Sequence, residues 1–258
     1  RQLRSRIVPP QYNWSHSELK PVAVAKPGEK RLLIARANYA GQGYQWARAA
    51  ETLPGVSAVN LHFLNEGDYS AGPSDFAVRR DVGQGSHIWA RRQKNAILES
   101  FTHVLIEAEL PVLSPLYGGD LVQEVRDLQD AGIKVGLVSH GSDTRLPSLH
   151  RKLEPHSPFH GDLDGLTQVL EDKVQKNFEM MDELDLPEFV PTAELLHFRP
   201  QAKWLPLITS AEDWLDAEPT RLTREKLVVA HVPGGRPALK GTSSIRSALE
   251  RLDQEGVI

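Results

Sequence analysis

The sequence predicts an α/β fold, a Rossmann-like parallel sheet with helices on both faces. Short apolar runs without alternation recur along the chain, which is typical of strands buried on both faces. Amphipathic stretches separate these runs, and alternating strands and helices indicate a parallel sheet. Right-handed crossovers between the strands would make the sheet Rossmann-like. Ligands of such sheets bind beyond the carboxyl ends of the strands.

Four apolar runs supply the main predicted strands, at residues 31–37, 57–64, 102–110 and 133–140. Helices are predicted near residues 44–53, 87–100 and 119–132, the last with Gly132 as its C-terminal cap. Two shorter candidate strands follow, in residues 188–196 and 203–208.

The composition excludes several classes of protein. A net charge of −4 over 258 residues gives no general basis for nucleic-acid binding. The chain has no cysteine, which excludes disulfides and thiolate zinc sites. No apolar run reaches the ~18 residues that a membrane span needs. We therefore expect a cytoplasmic protein.

Residues 1–30 are predicted to form a basic, proline-containing arm. Residues 1–31 carry seven basic and two acidic side chains, and prolines interrupt any helix there. The arm could be a partly ordered tail. It could also dock on a protein partner or an anionic surface through Tyr12 and Trp14.

A glycine loop, NYAGQGYQWARAAE, follows the first predicted strand. Gly41 and Gly43 would allow close backbone approach, and the following helix N-terminus offers free N–H groups. Phosphate is the expected ligand of such a loop. The alternative is a plain tight turn, because the loop contains no complete GxGxxG fingerprint.

The segment SHGSDTR follows the fourth predicted strand. His140 would end that strand, with Asp143 and Arg145 close behind it. A carboxylate can orient the imidazole, which can then bind a sugar hydroxyl or take a proton. The alternative is a structural histidine. Three further histidines, at 150, 156 and 160, lie among prolines, which favours a loop over a metal site.

A basic, glycine-rich loop, HVPGGRPALKGTSSI, lies near the end of the sequence. A strand over residues 227–230 is predicted before it, and a helix capped by Thr242 or Ser243 after it. Arg236 and Lys240 would then point at whatever the helix N-terminus attracts, which favours an anion. The alternative is a surface loop with two solvated cations.

These segments resemble a known family. VVAHVPGGRPALKGTSSIRSALERLDQEG looks like the start of the C-terminal domain in the large family of retaining GT-B glycosyltransferases. GIKVGLVSHGSDTR resembles that family's H-G-S-D-x-R segment, and the first glycine loop is similar to its counterpart. PTAELLHFRPQAKWLPL looks like the end of the family's N-terminal domain. The resemblance covers roughly residues 31–258.

The resemblance implies roles for individual residues. Two Rossmann-like domains would face each other across a cleft that binds a nucleotide-sugar donor and an acceptor of unknown identity. Arg236 and Lys240, with Gly241, match the group that holds the donor diphosphate, and Gly41 and Gly43 match the backbone that closes over it. His140 matches a residue that approaches the transferred sugar.

The family pattern also sets expectations for the rest of the site. Asp143 and Arg145 are expected to contact the acceptor or to line the cleft. Fixed cations and N–H dipoles would stabilise the departing diphosphate, so we expect no metal and no other cofactor.

The same resemblance divides the chain. It implies an N-terminal domain at residues 31–208, a connection at 209–225 and the first strand and helix of a second domain at 226–258. The family's downstream pair of glutamates would lie beyond Ile258. We therefore expect the 258-residue chain to be inactive by itself.

Two other functions remain open from the sequence. One is a non-catalytic binding or assembly module with a degenerate transferase fold. The other is a nucleotide-sugar epimerase, which ranks low because its GxGxxG and Tyr-x-x-x-Lys motifs are missing.

Overall fold

A computed structural model describes the chain over residues 14–64, 72–161, 163, 165–209, 229–233 and 237–258. These residues group into two compact units. The first contains the described residues up to Thr144 together with Lys176–Thr209. The second contains the described part of 145–175 and the described residues from 229 onward.

The first unit is built on a seven-stranded parallel sheet, which confirms the predicted α/β, Rossmann-like class. Its strands are β1 Lys30–Arg36, β2 Val56–Leu64, β3 Phe76–Arg79, β4 His103–Glu107, β5 Lys134–Val138, β6 Glu188–Val190 and β7 Lys203–Trp204. Their order is β3-β2-β1-β4-β5-β6-β7. The first predicted strand therefore lies inside the sheet, as its unbroken apolar sequence requires.

Helices alternate with these strands. They are α1 Gln42–Ala50, α2 Arg80–Gly85, α3 His87–Ser100, α4 Ser114–Tyr117, α5 Leu121–Asp130, α6 Gly141–Thr144, α7 Pro147–Leu153, α8 Leu166–Leu184 and α9 Thr242–Gln254. As predicted, Gly132 follows α5 with φ 86°, in the left-handed region that glycine adopts at helix ends. None of the described helices is both long and apolar enough to cross a membrane.

The sheet is buried on both faces. Leu33 and Ala35 of β1 belong to a core that includes Trp89 and Ile97 of α3. Ile34, between them in sequence, belongs to a second core with Trp46 of α1. Because successive side chains of a strand point to opposite faces, the middle of β1, Leu33 to Ala35, must be apolar at every position.

The described part of the predicted arm belongs to the first unit and packs against α3. The buried side chain of Gln93 in α3 donates to the Ala23 carbonyl (3.1 Å) and accepts from the Ala23 N–H (2.8 Å). Trp89 Nε1 donates to the Pro21 carbonyl at 3.0 Å. Tyr12 lies outside the described residues, and docking of the arm on a protein partner or an anionic surface stays a prediction.

Two local predictions were wrong. The loop predicted between the second strand and α3 contains β3, a four-residue strand in which only Val78 is buried and which therefore gave no apolar run. Near the end of the chain, Gly241, with φ 64°, is the N-cap of α9, and no side chain caps the helix. Thr242 Oγ1 instead lies 2.9 Å from Nε2 of His231.

The structure describes only part of the strand that was predicted before the basic loop. Residues 227 and 228 lie outside the described part of the chain, and Val229 and Ala230 are not in a strand. Val229 is 53% exposed.

Candidate functional site

The strand order places a switch point between β1 and β4. The chain moves from β1 outward to β2 and β3, and then returns to add β4 on the other side of β1. In open parallel sheets, ligands bind beyond the carboxyl ends of the strands at such a reversal. The predicted residues Gly41, Gly43 and His140 all follow the strands at this edge.

Asn38 organises the loop that follows β1. It adopts the left-handed conformation, with φ 48°. Its side-chain oxygen accepts from the Tyr44 N–H at 3.0 Å, and its amide nitrogen donates to the Pro73 carbonyl at 3.1 Å. Gly41, with φ 73°, is the N-cap of α1. One free N–H group at the start of α1 is therefore already satisfied within the protein.

Gly43 allows α1 to approach the sheet closely. A Cβ atom at this position would lie 2.6 Å from Asn60 Nδ2 and 3.1 Å from Glu107 Oε2. Both of those side chains are fully buried and have no room to move away. The absence of a side chain at Gly43 is thus required by the protein's own packing.

Glu107 is the last residue of β4 and is fully buried. Its carboxylate accepts from the Ala37 N–H at 3.0 Å and from the Asn38 N–H at 3.0 and 3.1 Å. Charge-assisted bonds of this kind are about twice as strong as neutral ones. These two amides, in the loop that we predicted to bind phosphate, are therefore occupied by a carboxylate of the protein.

The ring of His140 lies beside this carboxylate, after the carboxyl end of β5. Its Nε2 is 3.8 Å from Glu107 Oε1, and no hydrogen-bond partner for Nε2 occurs in the described part of the chain. The ring stacks on Trp46 at a centroid distance of 5.9 Å and meets Tyr39 edge-on at 4.9 Å. Its side chain is 12% exposed, so only one part of the ring is open to a ligand.

Asp143 braces the turn that carries His140. Its carboxylate accepts from the His140 backbone N–H at 3.2 Å, and its own N–H donates to the His140 carbonyl at 3.1 Å. Asp143 is buried, so it holds the backbone at His140 while Glu107 faces the ring. Arg145 belongs to the second unit and is partly buried.

The residues of the predicted donor site fall in the second unit or outside the described chain. Lys240 is exposed and ends a 3-10 turn at Ala238–Lys240, and Gly241 begins α9. Arg236 lies outside the described residues, so its pairing with Lys240 stays a prediction.

No group of three or more histidine, aspartate or glutamate side chains among the described residues is arranged to hold a metal ion. Two of the three clustered histidines have local contacts. His150 Nδ1 lies 2.8 Å from Ser157 Oγ, and His160 Nε2 lies 3.2 Å from the Glu154 carbonyl.

Charged groups at this edge act on one another. Burial, followed by the negative charges of Asp143 and Glu107, raises the pKa of the Tyr39 phenol. Burial also raises the pKa of Glu124, in α5, to about 7. The N–H groups of Leu113 and Val112, each donating at 2.8 Å, and the charge of Arg36 oppose that rise.

Sequence reasoning missed Glu107, Tyr39 and Trp46. Tyr39 and Trp46 lie in the glycine loop and the helix after it, where aromatic residues are as typical of a core as of a site. Glu107 could have been found, because it is a charged residue in the apolar run THVLIEAEL, and a buried carboxylate requires partners.

Comparison with known proteins adds no relative: no family model, curated protein or solved structure matches the chain. The likeness to retaining GT-B glycosyltransferases therefore depends on the sequence motifs alone.

Gly43→Ala tests the close approach of α1. Helix propensity alone predicts that alanine stabilises the protein by up to ~1 kcal/mol. The clash with Asn60 and Glu107 predicts the opposite sign, a loss of roughly 1–3 kcal/mol in the free energy of unfolding. Urea unfolding measures the difference. Gly161→Ala is the control, because its Cβ would meet nothing closer than 3.9 Å. A more stable Gly43→Ala protein would contradict the packing argument.

Glu124 predicts a dependence of stability on pH. Its pKa is about 7 in the folded state against an ordinary 4.5, so between these values the folded state binds more protons than the unfolded state. Stability from this group should fall by roughly 3 kcal/mol as pH rises through that window. The difference between the urea midpoints at pH 5 and pH 7 should therefore be smaller in Glu124→Gln than in the unmodified protein. The exposed Glu99→Gln is the control, and equal pH dependence in all three proteins would refute the assignment.

Proposed function

We propose that this chain belongs to a retaining glycosyltransferase that takes a sugar from a nucleotide-sugar donor. The observation that carries the proposal is the position of His140, held between Tyr39 and Trp46 at the carboxyl edge beside the buried Glu107. The HGSD segment and the Lys-Gly-Thr loop support it from the sequence. The finer assignment to the two-domain GT-B fold, and a cytoplasmic location, are parts of the same proposal.

The reaction would break the bond between the anomeric carbon and the donor diphosphate. An acceptor hydroxyl would form a new bond to the same face of that carbon and pass its proton to the departing diphosphate, which would leave with the bonding electrons. Lys240, with Arg236, would stabilise the growing charge on the diphosphate.

His140 would bind the transferred sugar. A proton on Nε2 would face the Glu107 carboxylate, which leaves Nδ1 able to accept a hydrogen bond from a hydroxyl group. Trp46 and Tyr39 fix the plane of the ring, so the imidazole keeps one orientation. Asp143 fixes the backbone from which the ring projects.

One observation favours the second candidate, a non-catalytic binding module. The amides of Ala37 and Asn38 are bound by Glu107, so the loop after β1 has fewer groups to offer a phosphate than its glycines suggest. A binding module would retain ligand affinity without turnover.

Replacing Lys240, which is predicted to bind the donor diphosphate, tests the proposal. The 258-residue chain is titrated with UDP, GDP and ADP and followed by NMR, because we expect a weak, roughly millimolar dissociation constant. Lys240→Ala should weaken binding of the cognate nucleotide by roughly tenfold or more, since a charge-assisted hydrogen bond contributes ~1.5–3 kcal/mol.

Arg251→Ala is the matched control, because this exposed cation lies in α9, beyond the loop that holds Lys240. Equal dissociation constants for Lys240→Ala and the unmodified chain would defeat the diphosphate assignment. In the complete enzyme, His140→Ala separates the two candidates: a transferase should lose donor cleavage more than donor affinity, with the exposed His156→Ala as control. No cleavage by the complete enzyme even without substitution, with intact binding, would favour the binding module.

A further inference from the structure

A tight turn follows β4, and both of its central residues have positive φ. The Leu110 N–H donates to the Glu107 carbonyl at 3.1 Å, which closes the turn. The central residues, Ala108 and Glu109, have φ angles of 59° and 54°. Turns with positive φ at both central positions are normally filled by glycine, asparagine or aspartate. Alanine and glutamate are strained there, so contacts elsewhere must hold the turn in this conformation.

The carboxylate of Glu109 makes such contacts. The residue is 8% exposed. Its Oε1 accepts from the Ser139 hydroxyl at 2.5 Å, and its Oε2 accepts from the side-chain amide of Asn177, in α8, at 3.4 Å. Ser139 is buried and directly precedes His140. The strained turn after β4 therefore directs a carboxylate onto the residue that leads into His140.

The same network reaches the other end of the turn that carries His140. The side-chain nitrogen of Asn177 also donates to the Asp143 carbonyl at 2.9 Å. Asp143 in turn binds both the N–H and the carbonyl of His140. Glu109 thus contacts one end of the turn directly and the other end through Asn177. All of these residues belong to the first unit.

The imidazole of His140 depends on this turn for its position. Its Nε2 has no hydrogen-bond partner in the described part of the chain, and its ring contacts are with Tyr39 and Trp46. A shift of the backbone at His140 therefore moves the ring directly. Displacements of about 1 Å at a reacting group can lower a rate by roughly a hundredfold.

We propose that Glu109 is a positioning residue for His140. Its carboxylate fixes the turn over residues 139–143, and the turn holds the imidazole against Tyr39 and Trp46. This role concerns the orientation of the ring and does not depend on the reaction that the ring serves. Its effect on sugar transfer rests on the proposed function.

Glu109→Gly tests the role, because it removes the carboxylate while glycine adopts positive φ without strain. NMR of the 258-residue chain follows the nuclear Overhauser contacts of the His140 ring with the rings of Tyr39 and Trp46. These contacts should be lost in Glu109→Gly. The His140 amide, which donates to Asp143, should exchange with solvent roughly tenfold faster.

Ala108→Gly is the matched control, because it relieves the same strain and leaves the carboxylate in place. It should keep both the ring contacts and the exchange rate of the His140 amide. Loss of the ring contacts in both variants would assign them to the stiffness of the turn and overturn the proposal. Intact ring contacts in a folded Glu109→Gly protein would also overturn it.

Asn177→Ala decides the question if Glu109→Gly does not fold. Asn177 is partly exposed in α8, and alanine is the best helix former, so this variant should fold. It cuts the path from Glu109 to Asp143, and the His140 amide should exchange roughly threefold faster. Gln175→Ala, at an exposed amide of the same helix, is the control. An unchanged rate in Asn177→Ala would overturn the proposal.

Kinetics of the complete enzyme separate this role from the proposed function. Glu109→Gly should lower kcat by roughly tenfold or more and change the donor KM by less than about twofold, since only the ring is displaced. A raised donor KM with unchanged kcat would show that Glu109 binds the donor itself, and would overturn the positioning role. Loss of the ring contacts in Glu109→Gly, with no transfer by the complete enzyme even without substitution, would reject the proposed function and retain the positioning role.

Discussion

The carboxyl edge of this sheet depends on one buried carboxylate. Glu107 ends β4 and binds the N–H groups of Ala37 and Asn38, which joins the two strands on either side of the switch point. The same carboxylate limits the size of residue 43 and faces the ring of His140. Without it, two buried amides would be unsatisfied and the loop after β1 would lose its anchor.

Opposite charges are separated along this edge. Glu107 and Asp143 hold the loops after β1 and β5, where His140 and Tyr39 meet. Arg36 lies over Phe63, with the exposed Arg80 near enough for its charge to lower the Arg36 pKa. A carboxylate bound to backbone amides is stabilised by the protein, whereas an unpaired guanidinium is not.

The sheet was predictable because its strands are chemically simple. Residues 31–37 and 133–140 are apolar on both faces, and only a parallel sheet between helices buries such runs. β3 was missed because a strand beside a single neighbour needs only one buried residue, Val78. His140 was found because a histidine after a strand stands out in the sequence. Glu107 was not found, since its importance comes from partners distant in the chain. Arg36 was not found, since its buried Nε has no partner in the described part of the chain.

Amide hydrogen exchange in Glu107→Gln tests the central claim most directly. A glutamine has one acceptor oxygen where the carboxylate has two, so the Ala37 and Asn38 amides should exchange roughly tenfold faster or more. The Ala23 amide, which donates to Gln93, is the internal control and should keep its rate. Unchanged exchange at Ala37 and Asn38 would show that Glu107 does not hold this loop, and would contradict the account.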